Sequence, residues 1–452
     1  MSTASSSKST VKLSTTHQSI RSSDSVELHE IRRLPDRIEL INRIIAGNGN
    51  KLEGLLMTTE DESHIVHHDH DDDSNCNDAK CILRKRVRNF SSIMSKIGGD
   101  LEYIKSGTTG HTLKGTMRDE NFSFAVKIVA YPKKKHYNNP NDIERPENAE
   151  LLMLKLLSQL VVSGKTPHIM LPIGTFNADL SEIIAITRDN IKDSERYTKF
   201  IQRYQQAEFY PQASVLLSEW ADKGDLLDYI RSNYKNMGLV DWQAIFFQIL
   251  QGFATIHNKY PAFRHNDAKA NNFLCRSLRI EPNKRQYHTY RGLGKYSYLV
   301  PNVGVQIGLW DFDFACIPGE VNNTKVFSEG TDHINVRPTR HQYYDIHFFF
   351  NTLGCTPFFP KLLTSKDVPD EVKEFVDRVV PPRYRSDKRY VTDGGRIKTE
   401  DEIWTPLQLL ETDPFFKPFR FTREKLAERK EQLKTESKRS KARNMEEQER
   451  DL

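Results

Sequence analysis

The apolar residues of this chain change their period once, near Asp225, and that change constrains the fold more than any other feature. From Leu101 up to it, short β-branched or apolar runs stand between turn residues: "LEYIKSGTTGHTLKGTM", "FSFAVKIVAY", "HIMLPIGTF" and "ASVLLSEW". Such runs read as strands, and the stretch "PENAELLMLKLLSQLVV" between the second and third reads as a helix. Beyond it the spacing is helical in "DLLDYIRSNY", "DWQAIFFQILQGFATIHNKY", "YYDIHFFFNTL", "DEVKEFVDRVV" and "TPLQLLETDPFF". The expectation is an α+β chain of two lobes, a β-rich one with one main helix and a mainly helical one. With 452 residues and 37% apolar content, the chain can fill a core split in this way.

The pattern divides the chain into an N-terminal extension (1–95), a strand-rich lobe (96–224), a helical lobe (225–419) and a charged tail (420–452). The first thirty residues are rich in Ser and Thr and are expected to be a disordered arm. "ELHEIRRLPDRIELINRIIAGNGN" then spaces Ile and Leu for a short amphipathic helix that stops at Gly47-Asn48-Gly49. "HIVHHDHDDDSNCNDAKC" (64–81) looks like a metal-ligand set, but its spacing matches no paired Cys or His arrangement, and a solvated polar linker is the preferred reading. The tail alternates charges without a heptad seam and reads as a mobile extension. A net charge of +5 spread over many acidic and basic residues implies no general grip on nucleic acid. Five cysteines, an odd and small number, argue against a disulfide-stapled secreted protein. No apolar run is long enough to span a membrane and the N-terminus lacks a signal-peptide core, so a soluble intracellular chain is expected.

The chemistry concentrates in "FRHNDAKANNFLC" (263–275). Asp267 and Asn272, five apart in a loop, suit a carboxylate aimed at a hydroxyl and an amide oxygen facing Mg²⁺, which takes oxygen ligands. "IGLWDFDFA" runs an apolar strand into Asp311, a second candidate metal contact, with a capping aspartate as the bland alternative. In "KSGTTGHTLKG", Gly107 and Gly110 stand in a turn whose N–H groups could close over phosphates. Lys127 in "FAVK" lies mid-strand among apolar neighbours and needs an anion. Glu150 on the following helix is preferred over Glu147, because "AELLML" sets it one turn before the apolar ridge.

These parts in this order resemble the protein-kinase fold, from about Leu101 to Phe419. The resemblance reads "SGTTG" as a glycine-rich loop with Lys105 at its first glycine, and "FAVK" as the nucleotide-lysine strand. It reads "LSEWADKGDLLDYI" as a hinge, with Ser218 as gatekeeper, Glu219 to Ala221 toward adenine and Asp225 near the ribose. "HNDAKANN" is similar to the catalytic loop with Asn266 in place of its arginine, and "DFD" to the metal triplet with Asp313 in place of glycine. Asp345 matches the buried helix aspartate that ties down the catalytic loop. No "APE" closes the activation segment, so regulation by loop phosphorylation is not expected.

More narrowly, "GLWDFDFACI" and "RHQYYDIHFFFNTL" resemble the serine/threonine kinases of large DNA viruses, of poxvirus virion-kinase type. The resemblance implies ATP and Mg²⁺ as cofactors, a viral or host protein as substrate, and a place in the virion and host cytoplasm. Choline-kinase and aminoglycoside-type phosphotransferases share several of these motifs, but Lys269 sits where protein kinases carry the lysine that offsets charge on the moving phosphoryl group. A non-catalytic pseudokinase scaffold would be expected to have lost Lys127, Asp267, Asn272 or Asp311, and all four are present. The basic, tyrosine-rich insertion at 276–302 could touch phosphates of nucleic acid or an acidic partner, although a solvated hairpin is the preferred reading.

Overall fold

The computed structural model describes residues 10–11, 34–47, 52–57, 79–106, 110–117, 122–188, 195–280, 286–327, 331, 334–422 and 424–429, with 432 and 435. The chain divides into two compact units, one drawn from residues 1–163, 170–220 and 311–332 and the other from 164–169, 221–310 and 333–452.

The first unit contains, in chain order, β1 (Thr10–Val11), α1 (Leu34–Gly47), β2 (Glu53–Gly54), α2 (Ala79–Ile82), α3 (Phe90–Ile97), β3 (Gly99–Ser106), β4 (Gly110–Met117) and β5 (Phe122–Pro132). It continues with α4 (Pro146–Val162), β6 (Pro172–Asp179), α5 (Leu180–Arg188), α6 (Glu195–Gln205) and β7 (Phe209–Glu219). Its seven strands form one antiparallel sheet in the order β1-β3-β4-β5-β7-β6-β2. The strands expected from the alternating runs are present. A single main helix was expected, but α5 and α6 lie between the last two long strands. In α6 the apolar Tyr197 and Phe200 are buried while the rest of the helix is charged, a narrow stripe easily missed in sequence.

Two expectations for the extension need correction. Thr10–Val11, inside the supposed disordered arm, pair with Leu101 and Glu102 as an edge strand. Residues 34–47, 52–57 and 79–97 are not merely appended, since Leu40, Ile41, Leu55, Met57, Phe90 and Met94 are buried in the core of this unit. Helix α1 covers the segment expected to be helical and ends at Gly47. Helix α3 is capped by Asn89, which accepts from Ser92 N, and is stopped by Gly98, whose φ of 74° a Cβ would disfavour. Most of the His- and Asp-rich stretch, with its candidate ligands up to residue 78, lies outside the described residues, as does most of the tail.

The second unit comprises α7 (Leu226–Asn233), α8 (Leu239–Lys259), β8 (Phe273–Ser277), β9 (Tyr287–Tyr290), β10 (Ser297–Pro301) and β11 (Val305–Leu309). After α9 (Thr324–Phe327), which belongs to the first unit, come α10 (Tyr344–Leu353), α11 (Lys361–Thr364), α12 (Asp370–Val379), α13 (Pro406–Thr412) and β12 (Arg420–Phe421). Helix α8 is apolar around most of its circumference and buried from Trp242 to His257, as a helix surrounded by other elements must be. Phe246 meets Phe350 of α10 edge to face with centroids 4.9 Å apart, Phe375 of α12 stacks on Phe415 at 4.5 Å, and Phe273 meets Phe349 at 5.1 Å.

The insertion at 276–302 is a hairpin, as expected, but not a solvated one. Strands β9 and β10 pair with each other and β10 with β12, while Tyr290 and Tyr298 pack on Phe247 at 5.0 and 5.1 Å. Tyr290 also stacks on His168 and hydrogen-bonds its Nε2 at 3.0 Å. These two tyrosines are committed to the core, which removes them as stacking platforms for bases.

The first unit contains a deeply buried ion pair. Arg37 of α1 donates to both carboxylate oxygens of Glu219, at 2.5 and 2.6 Å, and Leu171 N donates to the same carboxylate at 3.1 Å. Both side chains are about 5% exposed or less. Arg37→Met leaves Glu219 charged and buried without its guanidinium partner, and should cost about 3–5 kcal/mol of stability by urea titration. Adding Glu219→Leu should recover most of that loss.

In the second unit, burial holds His257 and His347 down at about 4 and His168 at about 3. Each donates to a backbone carbonyl, His347 Nε2 to Tyr384 O at 2.7 Å, His168 Nδ1 to Ile307 O at 2.9 Å and His257 Nε2 to Phe263 O at 3.2 Å. Since these folded values lie below the unfolded value of about 6.5, the stability they contribute is complete above pH 6.5 and is lost as pH falls from there toward 4. Urea midpoints should therefore drop between pH 7 and pH 5. His347→Gln, which has no proton to gain, should show a smaller drop.

Candidate active site

In β5 the buried residues alternate, so Phe124, Val126 and Ile128 fill one face and Lys127 points from the other. Its ammonium meets Glu150 of α4 at 2.6 and 2.9 Å and Asp311 at 2.8 Å. Glu147, the rival partner, is held instead by Arg145 at 3.1 Å. Burial works against the Lys127 charge, but Asp311 and Glu150 outweigh it and hold the lysine well above its ordinary range. Glu150 is raised, first by burial and then by the negative charge of Asp311 and Asp313, against the pull of Lys127. One cation thus faces more negative charge than it neutralises.

Asp311 is the more open carboxylate, with its side chain 38% exposed against 6% for Glu150. Its backbone is left-handed, at φ 63° and ψ 66°, a conformation that costs a non-glycine residue about 1–2 kcal/mol. The turn Phe312–Phe314 follows at once, and the fully buried Phe312 anchors it. Asp313, at the position of the motif's glycine, pairs with Lys325 of α9, whose ammonium also lies 3.7 Å from the Phe314 ring centroid. Asn323 donates to Asp313 O and Ala315 O, closing the segment on itself.

The glycine loop is described only in part, because Gly107 lies outside the described residues. Gly110 has a packing reason to be glycine: a Cβ there would collide with the Ile128 carbonyl of β5. Next to it, His111 is buried against Phe200 at 4.5 Å, and burial lowers it to about 4. Glu219 uses its N–H on Leu171 O at 3.1 Å and its carboxylate on Arg37, so its side chain is part of the core.

In the second unit, Ala221 O accepts from Gly224 N at 3.2 Å. Asp225 caps α7, accepting from Asp228 N at 3.0 Å, a structural task that its expected place near a ribose did not include.

The loop from His265 to Asn272 is fixed from beneath by Asp345 of α10. This fully buried carboxylate accepts from His265 N at 2.7 Å and Asn266 N at 2.9 Å. Burial raises it, while His265, Arg264 and the two backbone donors pull it back toward the ionised form. His265 Nε2 lies 3.0 Å from Trp310 O, and since a carbonyl only accepts, Nε2 carries the proton. Asn266 takes φ 62°, which asparagine tolerates better than most residues.

Asp267 follows, with its carboxylate held on both oxygens. Lys269 Nζ is 2.8 Å and Asn272 Nδ2 is 2.9 Å from Oδ2, and Asn272 Nδ2 also reaches Asp267 O at 2.8 Å. The Asn272 amide nitrogen is thus turned to Asp267 and its oxygen away from it. Arg396, which no motif singles out, reaches Oδ1 at 2.7 Å. Arg37 was missed in the same way. Both act across long sequence separations, 129 and 182 residues, where no local pattern exists to be read.

Among the described residues no three His, Cys, Asp or Glu side chains converge as a metal cage. Mg²⁺ does not ask for one, since it is commonly held by one or two protein oxygens together with substrate phosphates. Taken singly, the Asp311 carboxylate in the first unit and the Asn272 amide oxygen in the second are each hard oxygen donors of the kind Mg²⁺ takes. Among the described residues no helix is long and apolar enough to cross a membrane.

No protein-family model matches the chain. A protein of Acanthamoeba polyphaga mimivirus named "Putative serine/threonine-protein kinase" is 44% identical over 348 residues, covering 75% of this chain and 73% of its own length. Another mimivirus protein with the same style of name is 25% identical over 306 residues, covering 56% of this chain and 72% of its own. A mimivirus "Uncharacterized protein" is 26% identical over 335 residues, which is 72% of this chain but 36% of that protein. With a lysine paired to a helix glutamate, a pinned Asp-Lys-Asn loop and that degree of identity, the chain belongs to the serine/threonine-protein-kinase family of large DNA viruses.

Proposed function

We propose that the chain transfers the γ-phosphoryl group of ATP to serine or threonine hydroxyls of viral or host proteins. The observation that carries the reading is the pair of charge arrangements: Lys127 between Glu150 and Asp311, and Asp267 flanked by Lys269 and Asn272. The reading requires both sets to serve one triphosphate. Lys127, oriented by Glu150, neutralises the non-transferring phosphates. Asp311 and the Asn272 oxygen would hold Mg²⁺, which supplies charge neutralisation on the β- and γ-oxygens.

Asp267 orients the substrate hydroxyl and receives its proton as the oxygen bonds to phosphorus and the bond to the β-phosphate oxygen breaks, releasing ADP. Lys269 offsets charge on the group in flight. There is little covalent work for the protein in such a step, so positioning and fixed charges carry it. By the same resemblance, Gly107 and Gly110 cover the phosphates and Glu219, Ala221 and Asp225 bound the nucleoside. Gly110 and Asp225 also have the structural tasks described above. Packaging in the virion and action in the host cytoplasm belong to the same proposal, and proteomics of purified particles tests them.

Transfer of γ-labelled phosphate from ATP and Mg²⁺ to a basic protein tests the activity. Lys127→Met and Asp311→Ala should each lower transfer by about a hundredfold or more, and Asp311→Ala, which removes the more exposed carboxylate, should do so while the unfolding midpoint moves by only a few degrees. Asp267→Asn should lower kcat with the KM for ATP nearly unchanged. Label appearing on choline or an aminoglycoside instead of protein would replace the protein-kinase reading, and nucleotide binding with no transfer at all would leave a scaffold.

A further inference from the structure

Arg396 is held with more care than a surface arginine needs. It lies on a small hairpin closed by the Val391 and Ile397 bridge, where Thr392 N donates to Arg396 O at 2.8 Å and Arg396 N to Thr392 Oγ1 at 3.0 Å. Gly395, at φ 82°, makes the turn, and Asn351 of α10 donates to its carbonyl at 2.9 Å. The guanidinium lies over the Phe348 ring at 4.2 Å. Hairpin, helix and ring together leave the group little freedom.

Its target is the candidate catalytic carboxylate. NH2 reaches Asp267 Oδ1 at 2.7 Å, Nε lies 3.4 Å from Asn266 O, and the two side chains are 12% and 11% exposed. Lys269 and Asn272 both act on Oδ2, so the Oδ1 contact is the one that stops the carboxylate turning about its Cβ–Cγ bond. The Nε contact also bears on Asn266, the left-handed residue that sets the direction in which Asp267 leaves the backbone.

We propose that Arg396 is a positioning residue for phosphoryl transfer, fixing the Asp267 carboxylate and the Asn266 backbone in the reactive orientation. This rests on the kinase reading and deepens it. The motif's arginine is absent at Asn266, and a guanidinium arrives at the same loop from the hairpin near the C-terminal end of the second unit. Being held by packing, it orients the loop without waiting for a covalent modification. A misplacement of about 1 Å in such a group costs on the order of a hundredfold in rate.

The test compares wild type, Arg396→Ala and Arg396→Lys in the labelled-phosphate assay, with hydrogen exchange of the peptide spanning 264–275 measured in parallel. Arg396→Ala should lower kcat by about tenfold to a hundredfold, with the KM for ATP and for protein substrate within about twofold. Added ethylguanidinium should restore part of the rate to Arg396→Ala, and Arg396→Lys should retain part of it; a purely structural role predicts neither. Exchange in 264–275 should quicken in Arg396→Ala while the unfolding midpoint stays within a few degrees.

An unchanged rate, a faster one, or a loss appearing only in KM would overturn the inference, a faster rate marking Arg396 as a brake. If wild type transfers no phosphate, the kinase reading fails by itself. The exchange measurement then decides whether Arg396 orders the loop, and unchanged exchange overturns the inference without reference to activity.

Discussion

A single ammonium group shared between two carboxylates organises the first unit. Lys127 comes from the middle of a sheet, Glu150 from a helix, and Asp311 from a segment that rejoins this unit after nearly ninety residues of the other. Burying a lysine costs several kcal/mol unless anions meet it, so each of the three segments is constrained by the other two. Glu150 lies deep and serves as the fixed partner. Asp311 is the more exposed of the two and is the one that a cation from solvent can reach, so the cluster pairs a closed carboxylate with an open one.

The second unit solves the corresponding problem with a carboxylate at its centre. Asp345 spends both oxygens on backbone N–H groups, which would otherwise be buried without partners where the loop leaves extended geometry at Asn266. The loop is therefore held by its main chain as well as by the contacts among its side chains. Aromatic packing of α8 against α10 and α12 supplies the rigid base on which this depends.

Much of this was legible because it is local or periodic. "FAVK" set a lysine mid-strand among apolar neighbours, where it needs an anion, and the helical period of "AELLML" favoured Glu150 over Glu147, whose partner is Arg145. The change of period near Asp225 falls close to the point where the chain passes between units, at Trp220 and Ala221. What could not be read were tertiary choices. "RYVTDGGRIK" signals a turn but not that its arginine docks on residue 267, and "LPDRIEL" signals a helix but not that Arg37 ends on Glu219. The insertion looked polar because its tyrosines were counted as surface groups, whereas Tyr290 and Tyr298 bury their rings on Phe247. Short helices such as α6 escaped because two apolar residues among charges give little periodic signal.

The segments before β3 do something else as well. Along the outer side of β6, Glu53 and Gly54 pair with Thr175 and Gly174, Leu55 N donates to Ile173 O, and Arg88 N and Asn177 N complete bonds with Asn177 O and Arg86 O. At the opposite border Thr10 and Val11 pair with part of β3. An open strand border is an invitation to pair with a neighbouring molecule. Here residues 10–11, 53–55 and 86–88 of the same chain occupy bonding positions along the two borders, which leaves fewer backbone groups there for a strand from another molecule.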